Sequence, residues 1–566
     1  MHFTLHCVYR HFLQLIKEMK FLKVLINSLI SGIFFGFLIA LLVLDLNINL
    51  TFNLSFFIQL ALFIAMCYGL LITFSSILIF FFIQYFSSKK INIAIVSPAF
   101  LIISFTILTP LFLVIFRGNY QLFYSFFIPE TINLLKTQFI TLIFLSALGI
   151  LAGIGYFKYK KKILFALLYF CLFAAAMTYA VIQRANFPLP KTLDKIANLE
   201  TKEIDKKVTI IGLEGLSLDF IIPLTSEEKL PNFSWLMEEG SWGKLKSITP
   251  NEPLILNCSF NTGKLPAKHR KLSWNEYTIL DLKQRIQVTP RYIFFRQLTR
   301  IGLLKSSDIT PKSFSNSIWD IFDAKKTPSL RMDRPYRKLH TKTTGEAESK
   351  FNHFFKDLRF ETHYIFSLAK KAFCLDVQYE TEAMLLKEQK QPRLFFFLLP
   401  GLNVAETYFY KYAFPELFGE VNQEDINKFK SVIERYYQYY DEVIGRYLAT
   451  KKDDELLIIF SPYGTDALPL WKRYLEWILG NPEVSAYHEN APDGVVFFIG
   501  KDITKKKYIE NMKLIDIAPT LLHYLGLPVG KDIDGIVNSS IFSEEFKNEP
   551  ILYISSYEEH KIKKPE

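Results

Sequence analysis

Apolar positions fill the first third of the chain almost without a polar stripe. Past residue 208 they break into short runs separated by amphipathic stretches. Five apolar runs, near 24–45, 54–85, 92–117, 136–157 and 163–183, each approach or exceed the roughly 20 residues that cross a hydrocarbon core. A buried soluble helix of such length keeps a polar stripe, and these keep almost none, so five membrane spans are expected. The second run is long enough to tilt or to extend past the bilayer. Charged residues stand only at the ends of the runs, and no intramembrane ionisable residue is expected to mark a pathway, which argues against transport through them. Beyond them, strands are expected at 208–213, 394–399, 455–460 and 494–499. The last three are short and almost wholly apolar, as parallel strands buried on both faces are. Glu424 to Ala449 has helical spacing, with Tyr436, Tyr440, Val443, Ile444 and Tyr447 on one side. Together these predict a doubly wound α/β domain with helices on both faces. The region from about 270 to 390 carries the weakest pattern.

Charge orients the spans. Arg10, Lys17, Lys20 and Lys23 make a basic leader, which is either a short amphipathic helix on the membrane or a plain cytoplasmic segment. Lys89 and Lys90 follow the second run, and Lys158, Lys160, Lys161 and Lys162 follow the fourth. Asp45 to Asn53 holds no Lys or Arg. The Lys-bearing loops and the amino end are therefore expected in the cytoplasm, and everything after Ile182 outside. The loop Arg117 to Lys136 is then external, with Tyr120, Phe123, Tyr124, Phe126 and Phe127 available to the interface. The expected divisions are a leader (1–23), a five-helix region (24–187), a linker (188–207), an extracytoplasmic domain (208–545) and a charged tail (546–566).

Composition changes this picture little. The 566 residues, half of them hydrophobic, are too many for one ordinary domain. The net charge of +11 is spread over membrane-flanking loops and scattered lysines, so no nucleic-acid partner is expected. The five cysteines (Cys7, Cys67, Cys171, Cys258 and Cys374) have neither zinc nor disulfide spacing. Cys258 and Cys374 are expected as buried free thiols, with a pairing open if they are exported. The basic run Arg331, Arg334, Arg337 and Lys338 is either a solvated face or an anion-binding rim.

Candidate chemistry begins at the first strand of the α/β region. Val208 to Leu213 runs into Glu214-Gly215, placing an acidic side chain at the carboxyl edge of a sheet, where open α/β folds hold their sites. A helix cap is the alternative for a lone acid there. Leu230-Pro231-Asn232-Phe233 follows, and then Thr262-Gly263-Lys264-Leu265-Pro266 with His269. Further on stand Ser317-Ile318-Trp319-Asp320, Asp516-Ile517-Ala518-Pro519-Thr520-Leu521-Leu522, Leu525-Gly526-Leu527-Pro528 and Asp532-Ile533-Asp534-Gly535. This series resembles the type I phosphodiesterase and nucleotide pyrophosphatase branch of the alkaline phosphatase superfamily, from Val208 to about Phe542. The resemblance implies an alkaline-phosphatase-like α/β fold, two metal ions held by carboxylates and histidines, and a Thr or Ser nucleophile. In such a site, paired cations neutralise the transferring group and activate the hydroxyl.

The framework matches and the active positions do not. The first metal-binding Asp of the family falls on Glu214. The nucleophile falls on Pro253, which has no hydroxyl. Thr249 and Ser259 lie nearby, but each needs a shift of several residues. The Asp-x-x-x-His pair falls on Leu402 and Glu406. Ser-Asp-His-Gly becomes Ser461-Pro462-Tyr463-Gly464. The last ligand histidine falls on Asn490, with His488 two residues away. Glu214, Glu406 and Asn490 are a sparse oxygen set for a hard cation such as calcium.

The resulting expectation is a protein of the cell (inner) membrane that has lost metal-dependent catalysis. It would act as a binding or scaffolding subunit in envelope lipid or polysaccharide metabolism, with a lipid or glycan ligand and membrane-protein partners. The alternative is an active phosphodiesterase or phospho-group transferase with a rebuilt site and bound zinc or manganese.

Overall fold

The computed structural model describes residues 20–86, 93–188, 193–196, 205–273, 275–279, 284–293, 295–307, 313–333, 343–356, 358, 364–478, 480–488 and 491–560. The leader to residue 19, Lys89, Lys90, Arg334, Arg337, Lys338 and Asn490 lie outside these. The chain divides into two compact units. One contains 1–191 together with 272–312, and the other contains 192–271 together with 313–566.

The first unit is built on five helices long and apolar enough to cross a membrane: α1 (Phe21–Leu46), α2 (Leu54–Phe86), α3 (Pro98–Leu122), α4 (Pro129–Lys158) and α5 (Lys162–Ala185). They fall on the five expected runs. A π-helical turn at Ala65–Gly69 interrupts α2. Gly32 and Gly36 of α1 lie so close to Gly69 and Ala65 that a Cβ at either would sit under 3 Å from backbone atoms. Small residues thus let α1 and α2 meet backbone to backbone.

The expectation of no ionisable residue in the spans is corrected. α1 runs on through Asp45 and α5 through Arg184, and their charged groups approach to 3.9 Å, both buried. Arg184 also donates to the carbonyls of Leu44 (3.0 Å), Asn47 (3.3 Å) and Leu50 (2.8 Å). The guanidinium therefore caps one carbonyl in the last turn of α1 and two in the loop that follows it. Hydropathy missed the pair because both residues sit at run ends and turn inward.

Residues 272–312 belong to this unit rather than to the remainder of 208–545. They form a three-stranded sheet from Glu276–Ile279, Arg285–Ile286 and Leu304–Ser307. Asn47 and Asn119 hold the segment that follows the edge strand Arg285–Ile286. Asn47 Oδ1 accepts from Gln287 N and Val288 N, and Asn119 Oδ1 accepts from Arg291 N.

The second unit is a seven-stranded sheet: β1 (Lys207–Leu213), β2 (Ser241–Lys246), β3 (Ser329–Met332), β4 (Leu394–Leu399), β5 (Glu455–Tyr463), β6 (Asp493–Ile499) and β7 (Lys507–Lys513). The spatial order is β7-β2-β6-β5-β1-β4-β3. All strands share one direction except β6, which is antiparallel to both neighbours. The expected parallel strand at 494–499 is corrected to that extent. Its unbroken apolar run reports burial on both faces and carries no information about direction.

Helices cover both faces, as expected. α6 (Leu218–Ser226), α7 (Pro231–Glu239), α10 (Gly345–Phe355), α11 (Tyr364–Lys390), α12 (Gly401–Ala413) and α13 (Val432–Thr450) pack one side. α8 (Pro253–Thr262), α9 (Ile318–Ala324) and α15 (Ile517–Tyr524) pack the other. A further helix, α14 (Leu470–Ile478), lies in the connection from β5 to β6. Residues of the expected linker and tail also join this unit, since Leu193–Ile196 pairs with Glu558–His560. Cys258 and Cys374 are separate free thiols, both buried.

Candidate functional site

The resembling framework motifs are explained by what they do for the backbone. Pro231 opens α7, and Asp441 of α13 accepts from Asn232 N (3.2 Å), Phe233 N (2.8 Å) and Asn232 Nδ2 (2.8 Å). Ser317 and Asp320 form a capping box at the start of α9. Gly263 closes α8 at φ +65°, where a Cβ is disfavoured, and its carbonyl accepts from Asp534 N and Gly535 N. Asp534 Oδ2 in turn accepts from Leu265 N at 2.9 Å. The carboxyl-terminal signature is thus the partner of the Thr262-Gly263 turn.

The active positions gather at the carboxyl edge of β1, β4 and β5. Glu214 directly follows β1, is 1% exposed, and its N–H extends the ladder to Leu399 O at 3.0 Å. The next residue, Gly215, has φ +99°, and a Cβ there would stand 2.5 Å from Glu406 Oε2. Its N–H donates to Ser461 Oγ at 3.1 Å. Glu214, Glu406 and the Ser461 segment are therefore neighbours, as the sequence motifs imply.

Their chemistry differs from a row of ligands. Glu406 is fully buried on α12, with Thr465 Oγ1 donating to its Oε2, while the nearby Tyr437 hydroxyl donates to Gly215 O at 3.4 Å. Burial pushes the Glu406 pKa well above the usual carboxylate range, against the pull of the Thr465 hydrogen bond. Leu402 is a core side chain, 0% exposed, on the first turn of the same helix. Pro462 and Tyr463 end β5 and are buried. The Tyr463 ring stacks on His488, with centroids 4.7 Å apart and planes at 26°. Tyr487 stacks on the same imidazole at 4.3 Å. Pro253 is the first residue of α8, where its missing N–H costs no helical bond.

Ser259 lies inside α8, fully buried, with Oγ 2.9 Å from His269 Nε2. The partnership is not that of a nucleophile and its base. His269 Nδ1 accepts from Lys271 N at 3.2 Å, so the proton of the neutral ring is on Nε2, which donates to Ser259. Burial, together with the charges of Lys271 and Lys264, pushes the imidazole down to about 3 and keeps it neutral. Thr249 is exposed on the loop before α8, four residues from Pro253. Arg331 of the basic run pairs with the buried Asp333, its Nε donating at 2.8 Å, while Arg334, Arg337 and Lys338 lie outside the described residues.

A third acid was missed by sequence reasoning. Asp376 of α11 is 1% exposed, and its Oδ2 accepts from Tyr440 (2.9 Å), Tyr436 (3.0 Å) and Gly401 N (3.0 Å). Burial raises its pKa to about 7 despite these bonds, with the Glu214 charge adding to the rise. Among the described residues no group of three or more His, Cys, Asp or Glu is placed to hold a metal ion.

A helical membrane anchor ahead of an α/β sheet, with its distinctive turns at one carboxyl edge, defines a membrane protein with an alkaline-phosphatase-like domain. The chain belongs to the type I phosphodiesterase / nucleotide pyrophosphatase family, whose model matches residues 208–513. Among solved structures it is similar to an inactive murine ectonucleotide pyrophosphatase/phosphodiesterase 5 in complex with AMP. That likeness has 11% identity and a TM-score of 0.34, over 57% of this chain and 96% of that one. It is also similar to a phosphonate monoester hydrolase from Silicibacter pomeroyi, at 13% identity and a TM-score of 0.34, over 59% of this chain and 76% of that one. No curated protein matches it.

Proposed function

We propose that this protein is a membrane-anchored, phosphodiesterase-like binding or scaffolding subunit without metal-dependent catalysis. Its ligand class would be envelope lipid head groups or glycans, and its α/β domain would lie on the extracytoplasmic side. One observation carries the reading. The positions that would supply the attacking hydroxyl and half of the metal ligands hold Pro253, Leu402, Pro462 and Tyr463, three of them buried.

The donors that remain do not fit two zinc or manganese ions. Such ions call for several anionic or imidazole ligands around each. Here Glu406 is engaged with Thr465, and burial pushes its pKa well above the usual carboxylate range, which disfavours the anionic form that a metal ligand needs. Ser259 cannot replace the nucleophile, because the histidine beside it donates rather than accepts. The basic loops after the second and fourth spans support the extracytoplasmic placement.

The deciding experiment is elemental mass spectrometry of the purified full-length protein, paired with hydrolysis of a chromogenic phosphodiester. The expected result is metal well below one ion per chain and no turnover. One or more zinc or manganese ions per chain, with turnover abolished by Glu214→Gln or Glu406→Gln, would establish an active, rebuilt site instead.

A further inference from the structure

α14 is built the wrong way round for a helix on a water-facing domain. Its sequence, Leu470-Trp471-Lys472-Arg473-Tyr474-Leu475-Glu476-Trp477-Ile478, places Leu470, Trp471, Tyr474, Trp477 and Ile478 on one arc at helical spacing. These five are the exposed ones, from 56% at Trp471 to 76% at Leu470. Lys472, Arg473 and Glu476 occupy the opposite arc and are half-buried. A surface helix ordinarily buries the apolar arc and leaves the polar one in solvent.

The inversion is held in place. Arg473 donates to Leu417 O at 3.2 Å and lies over the Phe418 ring at 4.6 Å. Asn481 Nδ2 bonds Glu476 Oε2 at 2.8 Å just past the helix. The base of the excursion is a short ladder, Asp466–Ala467 with Ala486–Tyr487, and Ser485 N bonds Thr407 O of α12 at 2.9 Å. The polar arc is therefore the docked one, and the apolar arc is displayed. Five large side chains present on the order of several hundred Å² of contiguous apolar surface, at or above the largest patch that a typical soluble monomer leaves open.

We propose that α14 is a membrane-contact helix, lying in the head-group layer of a lipid bilayer. Its composition fits that occupant. Two tryptophans and a tyrosine carry apolar bodies with polar tips, the residue types that settle at a membrane interface, with Leu470 and Ile478 reaching deeper. The Lys472 ammonium lies over the ring of Trp471 in the displayed arc, 5.5 Å from its centroid, where it complements anionic head groups. The five-helix anchor on the same chain keeps a bilayer at high effective concentration, so a single short helix suffices where a free peptide would not. The contact would bring the Ser461–Gly464 segment, which ends six residues before the helix begins, towards head groups. The inference stands independently of whether that turn catalyses, since α14 contains none of the site positions.

The test uses the full-length chain in nanodiscs of phosphatidylcholine and phosphatidylglycerol, with and without brominated acyl chains. Bromine quenches only tryptophan within the bilayer, and the chain has six tryptophans, two of them in α14. The double variant Trp471→Phe/Trp477→Phe keeps the apolar arc and removes the reporters. The wild type is expected to lose emission to bromolipid, and the double variant to lose at least twofold less. An equal quenched amplitude in both proteins would overturn the proposal. So would α14 emission that shifts to the blue only in discs holding two chains and resists bromolipid, the result expected for docking of a second copy.

Discussion

At the scale of single residues, Asp376 is the group with the clearest measurable consequence. Its carboxyl is buried under Tyr436, Tyr440 and the Gly401 N–H, and its pKa rises from 3.8 to about 7 in the folded chain. A carboxyl of raised pKa holds its proton more tightly folded than unfolded. Its contribution is therefore fully present below the unfolded value and is lost as pH climbs through the folded one. Between pH 5 and pH 8 this costs the wild type on the order of 2 kcal/mol. Asp376→Asn removes the titration and keeps the shape. The variant should gain on the wild type by that amount across the interval, read from denaturant midpoints at the two pH values. Parallel curves would show that Asp376 stays charged in the fold. Asp376 was legible in part. A lone acid stands in the apolar stretch Ala372-Phe373-Cys374-Leu375-Asp376-Val377, and its tyrosine partners sit four apart. Pairing the two across 60 residues required the fold.

At the scale of elements, what the sequence makes legible is burial, and what it conceals is partnership. The strands at 208–213, 394–399 and 455–460 could be read because an apolar run between turns has few other uses. The direction of β6 could not be, and neither could the 27-residue helix α11, whose face against the sheet is diluted by lysines and glutamates. The framework motifs around the candidate site positions could be read because they build caps and turns with residue types suited to them. α7 gives an example with a test. Its amino end is satisfied by the Asp441 carboxylate from α13, 3% exposed, rather than by a residue of its own cap. Asp441→Ala leaves the buried Phe233 N–H and the half-buried Asn232 N–H without that acceptor and should cost about 1–3 kcal/mol. Asp441→Asn, which keeps one acceptor oxygen, should fall between. A loss under about 0.5 kcal/mol for the alanine variant would mean that α7 is fixed by packing alone.

At the scale of the whole molecule, the family domain is interrupted. Residues 272–312 leave the α/β unit and group with the membrane helices. Nothing in the hydropathy announces this, because the segment's strands are two to four residues long and its anchors are side-chain amides. Those anchors act as surrogate backbone. Asn47 accepts from Gln287 N at 2.7 Å and Val288 N at 2.8 Å, and donates to Val288 O at 2.8 Å. Asn119 accepts from Arg291 N at 2.7 Å and donates to Arg291 O at 3.0 Å. Each amide thus completes a pair of bonds that a neighbouring strand would otherwise supply, and each does so at a position 2% exposed or less. Removing one leaves peptide groups of the insert without partners, at about 1–3 kcal/mol per site. If these two side chains hold the insert, Asn47→Ala/Asn119→Ala should speed hydrogen exchange at Gln287, Val288 and Arg291 at least tenfold. The amides in the middle of α3 and α4 should stay unchanged, since the loss is local opening rather than unfolding of the bundle. Equal acceleration throughout the unit would make the two asparagines part of the bundle's own stability. No acceleration at all would leave the ring contacts of the insert, such as Phe295 on Tyr68, as what seats it.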